Sequence, residues 1–270
     1  MTFLGLFKAV QFLNISTVFL NTLHLPSTGL PEFVTASIKL LLGDDHKAIT
    51  ENRTTGVQSI SGTGALMLAA HFLRNFYGDR ENTPVYVSKE TWGNHRDIFK
   101  RAGFNDLRNY SYWEQNSLSL NIDGLLEDLN SAPQGSIVIL HGCAHNPTGC
   151  DPTRKQWVEI FKIVISRKLF PIFDNAYQGF ASGDPSYDAW AIRLFAETGC
   201  EAFVTQSYAK NFGLYNERVG CLAMVGRSAD ILNKMKSQIV LIVRQLYRVV
   251  LKKCHVKKAI FDCFGSKSSF

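Results

Sequence analysis

Ser136-Ile-Val-Ile-Leu140, a helical run from Pro152 to Lys168, and Phe170-Pro-Ile-Phe173 together read as strand, crossover helix and strand. The two short β-branched and aromatic runs have the length and continuous apolarity of strands buried on both faces. The early proline suits the first turn of the helix between them, where no amide hydrogen is required. Outward from this unit the alternation continues. Helices are expected at Gly64–Tyr77, Trp92–Ala102, Asp123–Asn130, Asp188–Thr198 and from Ala229 onward. Strands are expected at Pro84–Ser88, Leu107–Ser111, Ala202–Gln206 and Val219–Val225. Such alternation predicts an α/β fold with a mainly parallel sheet flanked by helices.

At 270 residues, with 46% hydrophobic and 19% charged residues, the chain is long enough for a large core and unlike a disordered polymer. The net charge of +6 could suggest a polyanion partner, but its location argues otherwise. Residues 227–270 hold ten Lys and Arg against Asp230 and Asp262, which leaves the rest slightly acidic. No nucleic-acid partner is expected of the body. Six scattered cysteines fit neither a disulfide framework nor a paired zinc motif and read as reduced thiols. The apolar stretch Met1–Leu23 is interrupted by Lys8, Gln11 and Asn14 and lacks a basic start, so neither a signal peptide nor a membrane span is expected. The sequons at Asn14, Asn52 and Asn109 then read as chance matches.

Reactive side chains collect where the strands end. Asn146 lies beyond the strand closing at Leu140, Asp174 directly follows Phe173, and Lys210 lies four residues beyond Gln206. Open α/β sheets bind ligands at the carboxyl ends of their strands, so these groups are expected to share one crevice. Ser61-Gly62-Thr63-Gly64 before an apolar helix offers free amides to a phosphate, although such a cluster also serves as a plain N-capped turn. In Ser207-Tyr-Ala-Lys210-Asn-Phe-Gly213, a lysine on a turn could act as a Schiff-base nucleophile or remain a solvated surface group. Ser207 and Arg218 could hold a dianion. Asp174 needs a cationic partner, which a pyridinium nitrogen, a salt bridge or a helix cap could provide. His141-Gly-Cys-Ala-His145 imitates a metal site, but the Asn-Pro-Thr-Gly turn that follows argues against one. Trp92 could stack on an aromatic cofactor or fill the core.

Five segments carry a resemblance. Gly29-Leu-Pro-Glu-Phe33, Ser61-Gly-Thr-Gly-Ala65, His145-Asn-Pro-Thr-Gly149, Phe173-Asp-Asn-Ala-Tyr-Gln-Gly179 and Ser207-Tyr-Ala-Lys-Asn-Phe-Gly-Leu-Tyr-Asn-Glu-Arg218 occur in the order and approximate spacing of eukaryotic aspartate aminotransferases. The chain resembles the cytosolic branch most, from about Leu25 to Arg244. The resemblance implies the large domain of a fold-type I enzyme dependent on pyridoxal 5′-phosphate, at work as a homodimer in the cytosol, or alternatively in the mitochondrion. It implies that Lys210 carries the cofactor and moves the proton at the substrate, and that Asp174 keeps the pyridine nitrogen protonated. Trp92 would stack on the ring, and Asn146 and Tyr177 would hydrogen-bond its phenolic oxygen, with Trp92 and Asn146 also bordering the substrate. Ser61, Gly62, Thr63, Ser207 and Arg218 would form the phosphate cup, and His95 and His141 would stand behind Asp174. No metal is implied.

The chain also departs from that pattern. His24 stands where the family usually places a tyrosine that reaches the neighbouring subunit's phosphate. Residues 1–24 do not align with the family's N-terminal arm, and 245–270 form a divergent basic tail. The family's C-terminal small domain, with two arginines that clamp the substrate carboxylates, therefore reads as missing after about Arg244. The expected activity is amino-group transfer between L-aspartate and 2-oxoglutarate, giving oxaloacetate and L-glutamate. The alternative is a cofactor-binding but inactive fragment, or an interaction partner of full-length aminotransferase subunits.

Overall fold

Helix α1 (Pro31–Leu42) starts with a proline and stops at Gly43, whose amide donates back to the Lys39 carbonyl. The computed structural model describes residues 26–247, so His24, the rest of the N-terminal segment and the tail beyond Tyr247 lie outside the described residues. After α1 come α2 (Lys47–Thr50), β1 (Thr54–Ile60), α3 (Ser61–Phe76), β2 (Val85–Ser88), α4 (Asn94–Arg101) and β3 (Leu107–Tyr110). A small hairpin of β4 (Trp113–Glu114) and β5 (Ser119–Leu120) precedes α5 (Ile122–Ser131). Then follow β6 (Ile137–His141), α6 (Arg154–Ser166), β7 (Phe170–Asn175), α7 (Pro185–Asp188), α8 (Trp190–Glu197), β8 (Ala202–Ser207), β9 (Val219–Val225) and α9 (Ala229–Leu246).

Seven of the strands form one sheet in the order β1-β9-β8-β7-β6-β2-β3. All neighbours from β8 to β3 pair in parallel, and β9 alone runs antiparallel to its neighbours β8 and β1. The sheet is thus mainly parallel, as the alternation implied. Helices cover both faces, which is why β6, β8 and β9 are buried along their whole length. Side-chain alternation divides the core between the faces. Phe173, Val204 and Leu140 pack with Trp157 and Phe195 of α6 and α8 on one face. Ile172, Phe203 and Ile139 pack with Leu66, Phe99 and Ile239 of α3, α4 and α9 on the other.

The structure departs from the sequence reading where polar residues turn inward. Strand β1 was not legible in Thr-Thr-Gly-Val-Gln-Ser-Ile, because Gln58 and Ser59 are buried while Ile60 is 38% exposed. Their polar atoms are satisfied locally: Gln58 Oε1 accepts from the Leu30 amide, and Ser59 Oγ donates to the Ser61 carbonyl. Helix α6 begins at Arg154, not Pro152, because Thr153 and Gln156 close a reciprocal capping box there. The helix expected over Asp188–Thr198 is present as Trp190–Glu197, while Asp188 closes the short helix before it and its carboxylate accepts from the amides of Gly179, Ala181 and Ser182.

Gly220 sets the tightest approach to backbone atoms among the described glycines. A Cβ there would lie 2.5 Å from both the Gln206 carbonyl oxygen and the Ser61 carbonyl carbon. Both obstacles are backbone and cannot rotate away. Gly220→Ala is expected to cost about 2 kcal/mol or more, read as a fall in the urea midpoint. An unchanged midpoint would mean that β1, β8 and β9 do not meet this closely.

Candidate active site

Five strands deliver side chains to one edge of the sheet. β1, β2, β6, β7 and β8 end there, and β9, running the other way, begins there. The pairings Ile60↔Val219 and Ser207↔Gly220 therefore bring Ser61, Ser207 and Arg218 side by side. The Ser61 amide donates to the Arg218 carbonyl at 3.0 Å, and the Ser61 and Ser207 hydroxyls lie 3.1 Å apart. Ser61 and Arg218 both adopt left-handed backbone angles, with φ of 59° and 52°. The Ser-Gly-Thr-Gly segment is the first turn of α3 and does not precede it. No side chain caps that turn, so beyond the Ser61 amide its first amides have no capping acceptor and could meet a ligand, and the plain N-capped alternative does not hold.

All ten residues expected to hold a cofactor line one cleft: Ser61, Gly62, Thr63, Trp92, Asn146, Asp174, Tyr177, Ser207, Lys210 and Arg218. The cleft has about 530 Å³ of space between its walls, part of it open to solvent. The sequence-expected groups are brought together without exception. Lys210 Nζ lies 4.8 Å from the centre of the Tyr177 ring. The Trp92 ring meets His95 edge-on at 5.5 Å. Asn146 follows the strand β6, and its peptide bond to Pro147 is cis.

Asp174 lies at the end of β7 with its side chain 11% exposed. His95 Nε2 is 3.0 Å from its Oδ2, and the Thr205 hydroxyl donates to Oδ1 at 3.4 Å. Burial works to raise the carboxyl's pKa, but the His95 hydrogen bond and the charges of His95, His141 and Lys210 outweigh it, and the net shift is downward. The carboxylate is thus held ionised where β7 meets the cleft. His141 stands opposite it in the β6–β7 register, and Thr91 bridges the two imidazoles, at 2.8 Å from His95 Nδ1 and 3.4 Å from His141 Nε2. Burial pushes His141 down to about 4 despite the attraction of Asp174.

His145 stacks on Tyr112 with ring centres 3.6 Å apart and bonds to Ser88 and Thr148. Among the described residues, no group of three or more His, Cys, Asp or Glu is placed to hold a metal ion. The described cysteines, Cys143, Cys150, Cys200 and Cys221, are free thiols, while Cys254 and Cys263 lie outside the described residues.

The sequence reading missed Thr91, Thr205, Tyr215 and Gly220. Thr91 had a signal, since it stands four residues before His95 at the start of a helical run. Gly220 had one too, because a glycine inside a strand pattern marks close backbone approach. Thr205 and Tyr215 gave none, as their roles depend on strand pairing and loop path.

The donor set that lines the cleft suits a phosphorylated pyridine aldehyde: uncapped amides, two neighbouring hydroxyls and a guanidinium, together with an amine and a buried carboxylate. His141 makes one consequence measurable. Its folded pKa lies below its unfolded value of 6.5, so the unfolded chain takes the proton first as pH falls. The stability it contributes is complete above about pH 6.5 and is lost as pH drops towards 4. Roughly 3 kcal/mol is at stake, so the urea midpoint should fall steadily from pH 7 to 4, and less steeply in His141→Gln. A midpoint constant over that range would contradict the burial of a neutral imidazole.

Comparisons with known proteins give the same lineage. A family model described as aminotransferase class I and II matches residues 20–255. A chicken (Gallus gallus) protein named cytoplasmic aspartate aminotransferase is 52% identical over 227 residues, which are 83% of this chain and 55% of that protein. The crystal structure of aspartate aminotransferase from Trypanosoma cruzi superposes with a TM-score of 0.83 at 43% identity, covering 91% of this chain and 61% of that one. An aromatic-amino-acid aminotransferase from Burkholderia pseudomallei, described as covalently bound to pyridoxal phosphate, matches with a TM-score of 0.81 at 36% identity, covering 90% and 62%. The chain spans about half the length of the curated relatives it matches. The chain therefore belongs to the class I and II aminotransferase family, and its sheet has the fold-type I architecture.

Proposed function

We propose that residues 25–244 are the cofactor-binding large domain of an aspartate aminotransferase that holds pyridoxal 5′-phosphate and transfers the amino group between L-aspartate and 2-oxoglutarate. The products would be oxaloacetate and L-glutamate. One observation carries the reading: Lys210 and Asp174 line a single cleft together with Arg218 and the uncapped first turn of α3. The name of the chicken relative supports a cytosolic setting, and a homodimer is part of the same proposal.

When bound, the cofactor supplies a protonated pyridine ring that withdraws electrons from the substrate's α-carbon. The chain's own residues position it and move the proton. The amides of Gly62 and Thr63, the hydroxyls of Ser61 and Ser207 and the Arg218 guanidinium hold the phosphate. Asp174, ionised and steadied by His95, holds a proton at the pyridine nitrogen, where a neutral carboxyl could not. Trp92 covers the ring face, and Asn146 and Tyr177 donate to the phenolic oxygen. Lys210 would hold the cofactor through its amine and, once the substrate's own amine has taken its place and freed it, would accept the proton from the substrate's α-carbon. Trp92 and Asn146 border the substrate.

Purified chain mixed with pyridoxal 5′-phosphate is expected to develop a visible absorption band, and borohydride should fix the cofactor's mass on the Lys210 peptide. Lys210→Ala should abolish both and slow the reaction with L-aspartate by at least about 100-fold. A wild-type chain that gives no band, or a band that survives Lys210→Ala, would end this reading.

A further inference from the structure

The loop from Tyr208 to Arg218 is closed at its base, where the Tyr208 amide donates to the Val219 carbonyl at 3.1 Å. It carries both basic groups of the cleft, Lys210 near its start and Arg218 at its end. Between them stands the short 3₁₀ turn Tyr215–Glu217. The Tyr215 ring faces both: Lys210 Nζ lies 5.7 Å from its centre and the Arg218 guanidinium carbon 6.0 Å. Arg218 Nη1 also donates to the Tyr215 carbonyl at 3.3 Å. The ring lines the cleft yet remains 60% exposed.

An exposed tyrosine ordinarily needs no explanation, but this one is the shared contact of two basic side chains that would repel each other. An aromatic face attracts a cation within about 6 Å, by about 0.5–1 kcal/mol where solvent has access. The geometry points to Tyr215 as a positioning residue that sets the Lys210 amine and the Arg218 guanidinium in register for the two ends of one pyridoxal phosphate. This inference rests on the proposed cofactor reading and adds a residue to it. Lys210 keeps a second ring contact, with Tyr177, whereas Arg218 faces the Tyr215 ring, its bond to the Tyr215 carbonyl being to backbone and independent of that ring. Arg218 is therefore the more dependent of the two.

The two ends can be read separately on the full chain. Pyridoxamine 5′-phosphate cannot bond to Lys210, so its dissociation constant reports the phosphate end. The rate at which pyridoxal 5′-phosphate becomes fixed by borohydride reports the amine. Tyr215→Ala should weaken pyridoxamine phosphate binding roughly two- to fivefold and slow the fixation by a similar or smaller factor, with an unchanged thermal unfolding midpoint, and Tyr215→Phe should restore both. The inference is overturned if Tyr215→Ala leaves either quantity at the wild-type value, if Tyr215→Phe behaves like Tyr215→Ala, or if the affinity falls only together with the unfolding midpoint. A wild-type chain that binds neither compound overturns the cofactor reading itself and this inference with it. Normal binding by both wild type and Tyr215→Ala overturns the role of Tyr215 alone.

Discussion

A carboxylate shut away from water must be compensated, and the arrangement around Asp174 follows from that constraint. The central position of β7 puts Asp174 in the middle of the sheet edge, with β6 on one side and β8 on the other. Those neighbours supply His141 and Thr205 in register with it. Helix α4 supplies His95, fully buried, and the turn before that helix supplies Thr91. None of these partners is a lysine or arginine in direct contact. The carboxylate is kept ionised by hydrogen bonds and partial charge while one side of it remains on the cleft, which is the state required of a group that holds a proton on a ligand's ring.

The single antiparallel strand has an equally specific consequence. In a wholly parallel sheet, the start of β9 would lie at the opposite edge from the ends of its neighbours. Reversed, β9 begins at the ligand edge and brings Arg218 against Ser61 and Ser207. Gly220 lets the three backbones come close enough for the Ser61 amide to reach the Arg218 carbonyl. The loop that precedes β9 carries Lys210, so one stretch of chain brings both the lysine and the arginine to the cleft.

Much of this was legible before any coordinates. Apolar runs such as Ile137–Leu140 and Phe170–Phe173 declare buried strands because both faces of the sheet are covered. The positions of Asp174, Asn146 and Lys210 at strand ends followed from that, and short motifs fixed the lineage. What could not be read was whatever depends on distant parts of the chain meeting. Strand β1 hid behind Gln58 and Ser59, whose polarity is answered by Leu30 and Ser61. The reversal of β9 leaves no mark in its composition. Thr205 looks like an ordinary strand threonine until β7 lies beside it, and Tyr215 like a loop tyrosine until the loop folds over the cleft.

The account stands on Asp174 as the base that keeps a bound pyridine nitrogen protonated. The most direct measurement is the ¹⁵N chemical shift of ring-labelled pyridoxal 5′-phosphate bound to the chain at neutral pH. A shift in the pyridinium range for the wild type, moved to that of unprotonated pyridine in Asp174→Ala, is the predicted result. An unprotonated nitrogen in the wild-type complex, or a shift indifferent to the loss of Asp174, would contradict it.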